Sequence, residues 1–74
     1  MKYLRNDKGL KKFGERVKKI RKKQNISQIQ LAFEAGIPEK QVRRIEKGEV
    51  NTGLSTILAI AEALNIPVGD FFDF

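Results

Sequence analysis

The chain has 74 residues and a formal net charge of +6, which allows one small domain with a basic surface. It contains no cysteine and no histidine, which excludes disulfides, the usual zinc sites and the usual catalytic triads. No apolar stretch approaches the ~20 residues that span a bilayer, and the N-terminus lacks the apolar core of a signal peptide. We therefore expect a cytoplasmic protein that needs no cofactor and does not enter a membrane.

The charge is distributed unevenly. Residues 1–26 contain eleven basic and two acidic residues (+9), residues 27–48 contain four and three (+1), and residues 49–74 contain none and four (−4). We expect the first three helices to meet a polyanion while the C-terminal third faces elsewhere. The alternative for most lysines of the first helix is that they form a solvated helix face, which contributes only to solubility.

The first helix is expected to begin near residues 7–9, after an N-terminal arm formed by residues 1–9, with Asp7 as its cap. Its apolar stripe recurs every three or four residues and consists of Leu10, Phe13, Val17 and Ile20. Arg21 lies beside this stripe, where a charge is costly without a partner. Glu46 is the candidate partner, and the alternative is that both are ordinary surface charges.

The second helix is predicted over residues 27–35. Ser27 followed by Gln30 is a capping box, and Ile26 with Leu31 has the spacing of a hydrophobic staple. Gly36 is suited to the left-handed position that commonly ends a helix.

The third helix is predicted over residues 38–47. Pro38 suits a first turn because it has no N–H to leave unpaired, and Glu39 complements the helix dipole. Val42 and Ile45 should face inward, and Gly48 should close the helix. Two short helices around a tight turn are the pattern of a helix-turn-helix.

A fourth helix is predicted over residues 54–64 and a short fifth one after residue 67. The expected core face of the fourth helix consists of Leu54, Ile57, Leu58, Ala61 and Leu64. Val68 and Phe71 of the fifth helix should pack on the same core. Together these elements predict a compact all-α fold of five helices, with one domain over residues 10–74.

Two groups of apolar residues are not explained by this core. Phe71, Phe72 and Phe74 are too large for all three rings to be buried, so at least one is expected to contact a second subunit; the alternative is a disordered end with Phe74 in solvent. Ile29 and Phe33 lie one turn apart on the second helix. We expect them to pack under Tyr3 and Leu4 of the arm, the alternative being a partner protein.

The chain resembles the Cro/C1-type (XRE, phage-repressor-like) helix-turn-helix family over about residues 13–72. The resemblance lies in the segments FGERVKKIRKKQNISQIQLAFEAGI, VRRIEKG, LSTILAIAEALNI and DFF. It implies a lambda-repressor-like DNA-binding domain in which the arginine and glutamate matching Arg21 and Glu46 tie the first helix to the end of the third. The chain departs from the family at Ile29 and Phe33, where the family often has polar residues, and at residues 49–50, where it often has basic residues. Thr52 and Gly53 stand in place of the usual proline and serine.

Matching the family position by position implies which residues meet DNA. The base-reading set is Glu39, Lys40, Arg43 and Arg44, and the phosphate set is Gln28, Gln41, Lys47, Asn51 and Arg21. Two members of the base-reading set have a simpler alternative role. Glu39 would then only stabilise the helix dipole, and Arg43 would only contact phosphate.

The leading hypothesis is a sequence-specific regulator of transcription, a small repressor or autoregulator that binds double-stranded DNA. One domain contacts few base pairs, so we expect a homodimer, formed by the fourth and fifth helices, on a pseudo-palindromic operator. The alternatives are an antitoxin-like protein-interaction module with an unknown protein partner and a non-specific polyanion binder. Enzyme activity is not expected, because no acid–base or nucleophile constellation is present.

Overall fold

A computed structural model of the protein describes residues 5–74. It contains four α-helices, α1 (Asp7–Lys23), α2 (Gln28–Ala35), α3 (Glu39–Glu46) and α4 (Leu54–Leu64), followed by a 3-10 helix (Val68–Phe72). The predicted all-α class is confirmed, but the fifth helix is a 3-10 helix and not an α-helix. In the described part of the chain, no helix combines the length and the apolar character that crossing a bilayer requires.

The helix α1 begins within the predicted range, at Asp7, but its cap differs from the prediction. Asn6 is the N-cap, and its side-chain oxygen accepts a hydrogen bond from the Gly9 N–H at 2.8 Å. Asp7 is the first helical residue, where its charge complements the helix dipole. Residues 7–9 therefore belong to the helix and not to an arm.

The helix-turn-helix has the predicted order with slightly shorter helices. Ser27 caps α2 by accepting the Gln30 N–H at 3.0 Å, and Gly36 ends it in the left-handed conformation (φ 72°). Pro38 is the N-cap of α3 and not its first helical residue, because its extended backbone (ψ 145°) precedes the first turn.

The core lies between α1, α2, α3 and α4 and is closed by the 3-10 helix. Its buried apolar side chains are Phe13, Val17, Leu31, Ala32, Val42, Ile45, Ile60, Ala61, Leu64 and Phe71. The predicted core face of α4 was partly wrong, because Leu54 and Leu58 are 68% and 47% exposed whereas Ile60 is fully buried. Apolar residues surround most of α4, so their spacing alone does not determine which side packs on the core.

The first helix crosses the end of α3 at backbone contact. A Cβ atom on Gly14 would lie 2.2 Å from the carbonyl oxygen of Ile45, and one on Gly48 would lie 2.7 Å from the Cα of Lys11. Glycine at both positions therefore allows the two helices to meet. The role of Gly14 was not anticipated from the sequence, because no local pattern marks a distant contact.

The C-terminal aromatic residues divide between core and surface. The Phe71 ring is buried and packs edge-on against Phe13, with ring centroids 5.4 Å apart. Phe71 thus packs on the core, as predicted, which leaves Phe72 and Phe74 as the rings available for the predicted contact with a second subunit. Phe72 stacks on Phe13 at 5.5 Å but remains half exposed, and Phe74 is exposed.

Ile29 and Phe33 are the apolar residues of α2 that the core does not use. They are 64% and 85% exposed. Their predicted partners, Tyr3 and Leu4, lie outside the described residues.

Candidate nucleic-acid interface

A buried ion pair fixes α3 relative to α1. Arg21 donates from Nε to Oε2 of Glu46 at 2.7 Å and from Nη2 to Oε1 at 3.1 Å, while Nη1 donates to the Ile26 carbonyl oxygen at 2.8 Å. Less than a tenth of either residue is exposed. Gln28 donates from Nε2 to the same carboxylate at 2.9 Å, which connects α2 to the pair. The orientation of α3 is therefore set by charged hydrogen bonds as well as by apolar packing.

This network changes the roles of two predicted phosphate contacts. All three guanidinium nitrogens of Arg21 donate within the protein and its side chain is buried, so the structure assigns it to the ion pair, and its phosphate contact stays a prediction. Gln28 is half buried at the start of α2, where its amide holds Glu46. The free N–H groups of this helix end are suited to a phosphate, and the Gln28 contact stays a prediction.

The outer side of α3 forms a cationic surface. Val42 and Ile45 turn inward and are about 1% exposed. The opposite side exposes four basic residues, here called the recognition face: Lys40, Arg43, Arg44 and Lys47. Its long side chains supply hydrogen-bond donors that suit both phosphate oxygens and the acceptors of guanine.

Two carboxylates lie beside the recognition face. Oε2 of Glu39 is 3.8 Å from Nη1 of Arg43, one turn further along α3. Oε1 of Glu49, in the loop after α3, is 3.8 Å from Nε of Arg44. Both pairs are substantially exposed, so they contribute little to stability, but each places a negative charge next to an arginine that was predicted to read bases.

The remaining predicted contact residues lie in two different places. Gln41 joins Lys40 and Arg44 around a recess of about 270 Å³, which Pro38 and Val50 complete. Asn51 is exposed and lines a groove on the other side of the loop, beside the start of α1 and the C-terminal aromatic residues. The structure thus groups Gln41 with the recognition face and separates Asn51 from this recess.

The basic residues of α1 form a second cationic surface. All seven of its lysines are exposed: Lys8, Lys11, Lys12, Lys18, Lys19, Lys22 and Lys23. Arg16, in contrast, donates from Nε to the Asp70 carbonyl oxygen at 2.8 Å and holds the C-terminal segment. Among residues 5–74 there is no cluster of acidic residues that is arranged to hold a metal ion.

A helix-turn-helix whose second helix, here α3, exposes a cationic side is typical of a DNA-binding domain. Comparisons with known proteins agree with this class. A family model described as Helix-turn-helix matches residues 17–71. The control protein C.BamHI of Bacillus amyloliquefaciens is 40% identical over 63 residues, which are 84% of this chain and 78% of that protein. The immunity repressor protein of Bacillus phage phi105 is 42% identical over 55 residues, or 74% of this chain; the match spans only 38% of the repressor's length.

A solved structure shows the same fold. The crystal structure of the restriction-modification controller protein C.AhdI from Aeromonas hydrophila superposes with a TM-score of 0.84 and 38% sequence identity, covering 85% of this chain and 96% of the controller. The chain therefore belongs to the Cro/C1-type (XRE) helix-turn-helix family, a family of DNA-binding transcriptional regulators.

Proposed function

We propose that this protein is a sequence-specific transcriptional regulator that inserts α3 into the major groove of double-stranded DNA. The observation that carries the proposal is the recognition face, which is held rigidly from behind by Val42, Ile45 and the buried Arg21–Glu46 pair. The major groove admits an α-helix, and the N-terminal part of a recognition helix contacts base edges. A rigid cationic helix of this kind is suited to reading bases and not only to attracting phosphates.

The side chains of α3 indicate the kind of site that is read. Arg44 is suited to bind O6 and N7 of guanine, Lys40 to bind guanine as a point charge, and Glu39 to accept from the amino group of cytosine. We therefore propose a half-site that contains G·C pairs. Arg43 is the next candidate for a base contact, and Gln41 and the start of α2 are assigned to the adjacent backbone.

We further propose that the protein acts as a homodimer on two half-sites. Leu54 and Leu58 lie one turn apart on α4 and are exposed, as are Phe72 and Phe74 after it. These four residues are here called the C-terminal face. Exposed apolar groups of this size commonly mark a protein contact, and the C-terminal third carries no basic residue that would draw it to DNA.

The similarity to control proteins suggests a biological role. C.AhdI is by its name a restriction-modification controller, and the structural match covers nearly all of that chain. C.BamHI is also a control protein and is matched over 78% of its length. We propose that this chain is likewise a regulator of the controller type, which would bind DNA near the genes that it governs.

Selection from a randomised DNA library at physiological salt tests the proposal. We expect an enriched pseudo-palindrome with half-sites about 34 Å apart, bound at least ~10³-fold more tightly than bulk DNA. Strong binding without any enriched motif would instead support a non-specific polyanion binder. Absence of DNA binding would favour the antitoxin-like alternative, in which the protein covers a protein partner.

A further inference from the structure

We propose that Glu49 is a specificity-determining residue that acts through Arg44, weakening the contact of the arginine with phosphate while leaving it free to bind guanine. The inference rests on the proposed function, because it assigns Glu49 a part in reading DNA. It concerns the loop after α3, where this sequence has an acidic residue directly beside the recognition face.

The backbone of Glu49 is fixed on both sides. It follows Gly48, whose left-handed conformation (φ 74°) reverses the chain against α1. The Glu49 N–H donates to the carbonyl oxygen of Arg44 at 3.0 Å. The Glu49 carbonyl oxygen accepts from Nη2 of Arg5 at 3.1 Å. The position of the carboxylate beside α3 is therefore a consequence of how the helix ends.

The approach of the carboxylate leaves the guanine-binding edge of Arg44 free. Oε1 of Glu49 lies 3.8 Å from Nε, and both side chains are 53% exposed. An arginine that is approached at Nε still has Nη1 and Nη2, and two such donors bind O6 and N7 of guanine together. At 3.8 Å the carboxylate is too far away to accept a hydrogen bond, so it acts on Arg44 through its charge and leaves the donors of Nη1 and Nη2 without a bond to Glu49. Glu39 acts differently on Arg43, since it approaches the terminal Nη1.

Stability does not explain an acidic residue at this position. Glu49 lies just beyond the C-terminus of α3, where the helix dipole favours a cation over an anion. Its ion pair with Arg44 is exposed, and exposed pairs contribute little. Because Glu49 contributes so little to stability, its presence is better explained by an effect on the DNA contact of Arg44.

The two kinds of DNA contact respond differently to this charge. A phosphate is a full anion, so a nearby carboxylate repels it and offsets the charge of Arg44. Guanine presents neutral acceptors, so binding to it depends more on the direction of the hydrogen-bond donors than on the net charge nearby. Glu49 should therefore lower affinity for DNA of any sequence more than it lowers affinity for the preferred site.

The test compares Glu49→Gln with Glu62→Gln, which makes the same change in net charge on α4. The probes are the duplex that the wild-type protein enriches from a random library and a shuffled duplex of the same composition. For Glu49→Gln we expect affinity for the shuffled duplex to rise roughly fivefold and its log–log salt slope to steepen by up to about one. Affinity for the enriched duplex should rise less, so the ratio of the two affinities should fall. Glu62→Gln should leave that ratio unchanged.

A double variant tests whether Glu49 acts through Arg44. In an Arg44→Ala background, Glu49→Gln should no longer alter the ratio of the two affinities. Equal effects of Glu49→Gln and Glu62→Gln, or an undiminished effect without Arg44, would overturn the inference while leaving the proposed function intact. Failure of the wild-type protein to enrich any duplex would overturn both. Thermal unfolding of each variant shows whether a change in affinity comes from the fold.

Discussion

The recognition face and the C-terminal face are both exposed at the surface of the same small domain, yet they differ in chemistry. The recognition face presents four cations, whereas the C-terminal face presents two leucines and two phenylalanines in a segment without basic residues. Cationic side chains are well solvated until a polyanion displaces their counterions. Exposed apolar side chains are not solvated favourably in this way, and burying them against another surface is favourable. The difference supports the proposal of one surface for DNA and another for a second subunit.

The largest expected effect comes from the ion pair behind the recognition face. Glu46→Gln leaves the buried Arg21 without a counter-charge, and such a loss costs about 3–5 kcal/mol. Because the pair joins α1 to α3, both faces should be affected. Chemical denaturation measures the free energy of unfolding. Glu39→Gln, at a partly exposed residue of the same helix, is the control and should lose little. A Glu46→Gln protein as stable as the wild type would show that the pair does not hold the helices together.

The next largest effect separates the two faces. Leu58→Lys places a charge in the C-terminal face, so we expect self-association to weaken at least tenfold, about 1.4 kcal/mol or more. Affinity for a two-half-site duplex should fall with it, while affinity for a single half-site should not. Sedimentation equilibrium and titration with both duplexes measure these quantities.

Ser55→Lys is the matched control for Leu58→Lys, because Ser55 is an exposed polar residue of α4. It adds the same side chain to the same helix. Equal self-association of both variants would place the dimer contact elsewhere.

The recognition face itself is tested by Arg44→Ala. Loss of a base contact should cost about 1–3 kcal/mol of affinity for the enriched duplex and relax the base preference at one position. Self-association should be unchanged, in contrast to Leu58→Lys. Repeating the library selection with the variant measures the base preference. If affinity fell equally for all sequences, Arg44 would be a phosphate contact.

The smallest effect concerns a local contact that involves neither face. Ser27→Ala removes the oxygen that caps α2, and loss of an N-cap costs about 1 kcal/mol. Thermal or chemical unfolding measures the change, with Ser55→Ala as the control. A loss well above this value would show that Ser27 does more than cap its helix.

Features encoded by neighbouring residues were predictable from the sequence. Ser27 and Gly36 mark the ends of α2 because capping and the left-handed turn depend on local backbone geometry. The inward direction of Val42 and Ile45 followed from helical spacing in a short helix whose other residues are polar. The same reasoning failed for α4, where Ile60 and not Leu54 is buried, because apolar residues occur around most of its circumference.

The candidate site was predicted only in part. The outer residues of α3 followed from the spacing of its two inward apolar residues, Val42 and Ile45, which left Lys40, Arg43 and Arg44 outside. The resemblance to a family indicated Arg21 as a phosphate contact, but each of its guanidinium nitrogens has a partner within the protein. The bond from Gln28 to Glu46 was also missed, because nothing in the neighbourhood of either residue reveals the other.

By itself, the sequence determined the class of fold, the two helices around Gly36 and the separation of positive from negative charge along the chain. These properties depend on residue type and on spacing within one or two helical turns. Only the tertiary structure decided that Gly14 admits the end of α3, that Phe72 and Phe74 are the rings that remain at the surface, and that Glu49 lies beside Arg44. Each of these depends on where separate segments meet, since backbone contact, burial and charge pairing are set by distances that no local pattern encodes.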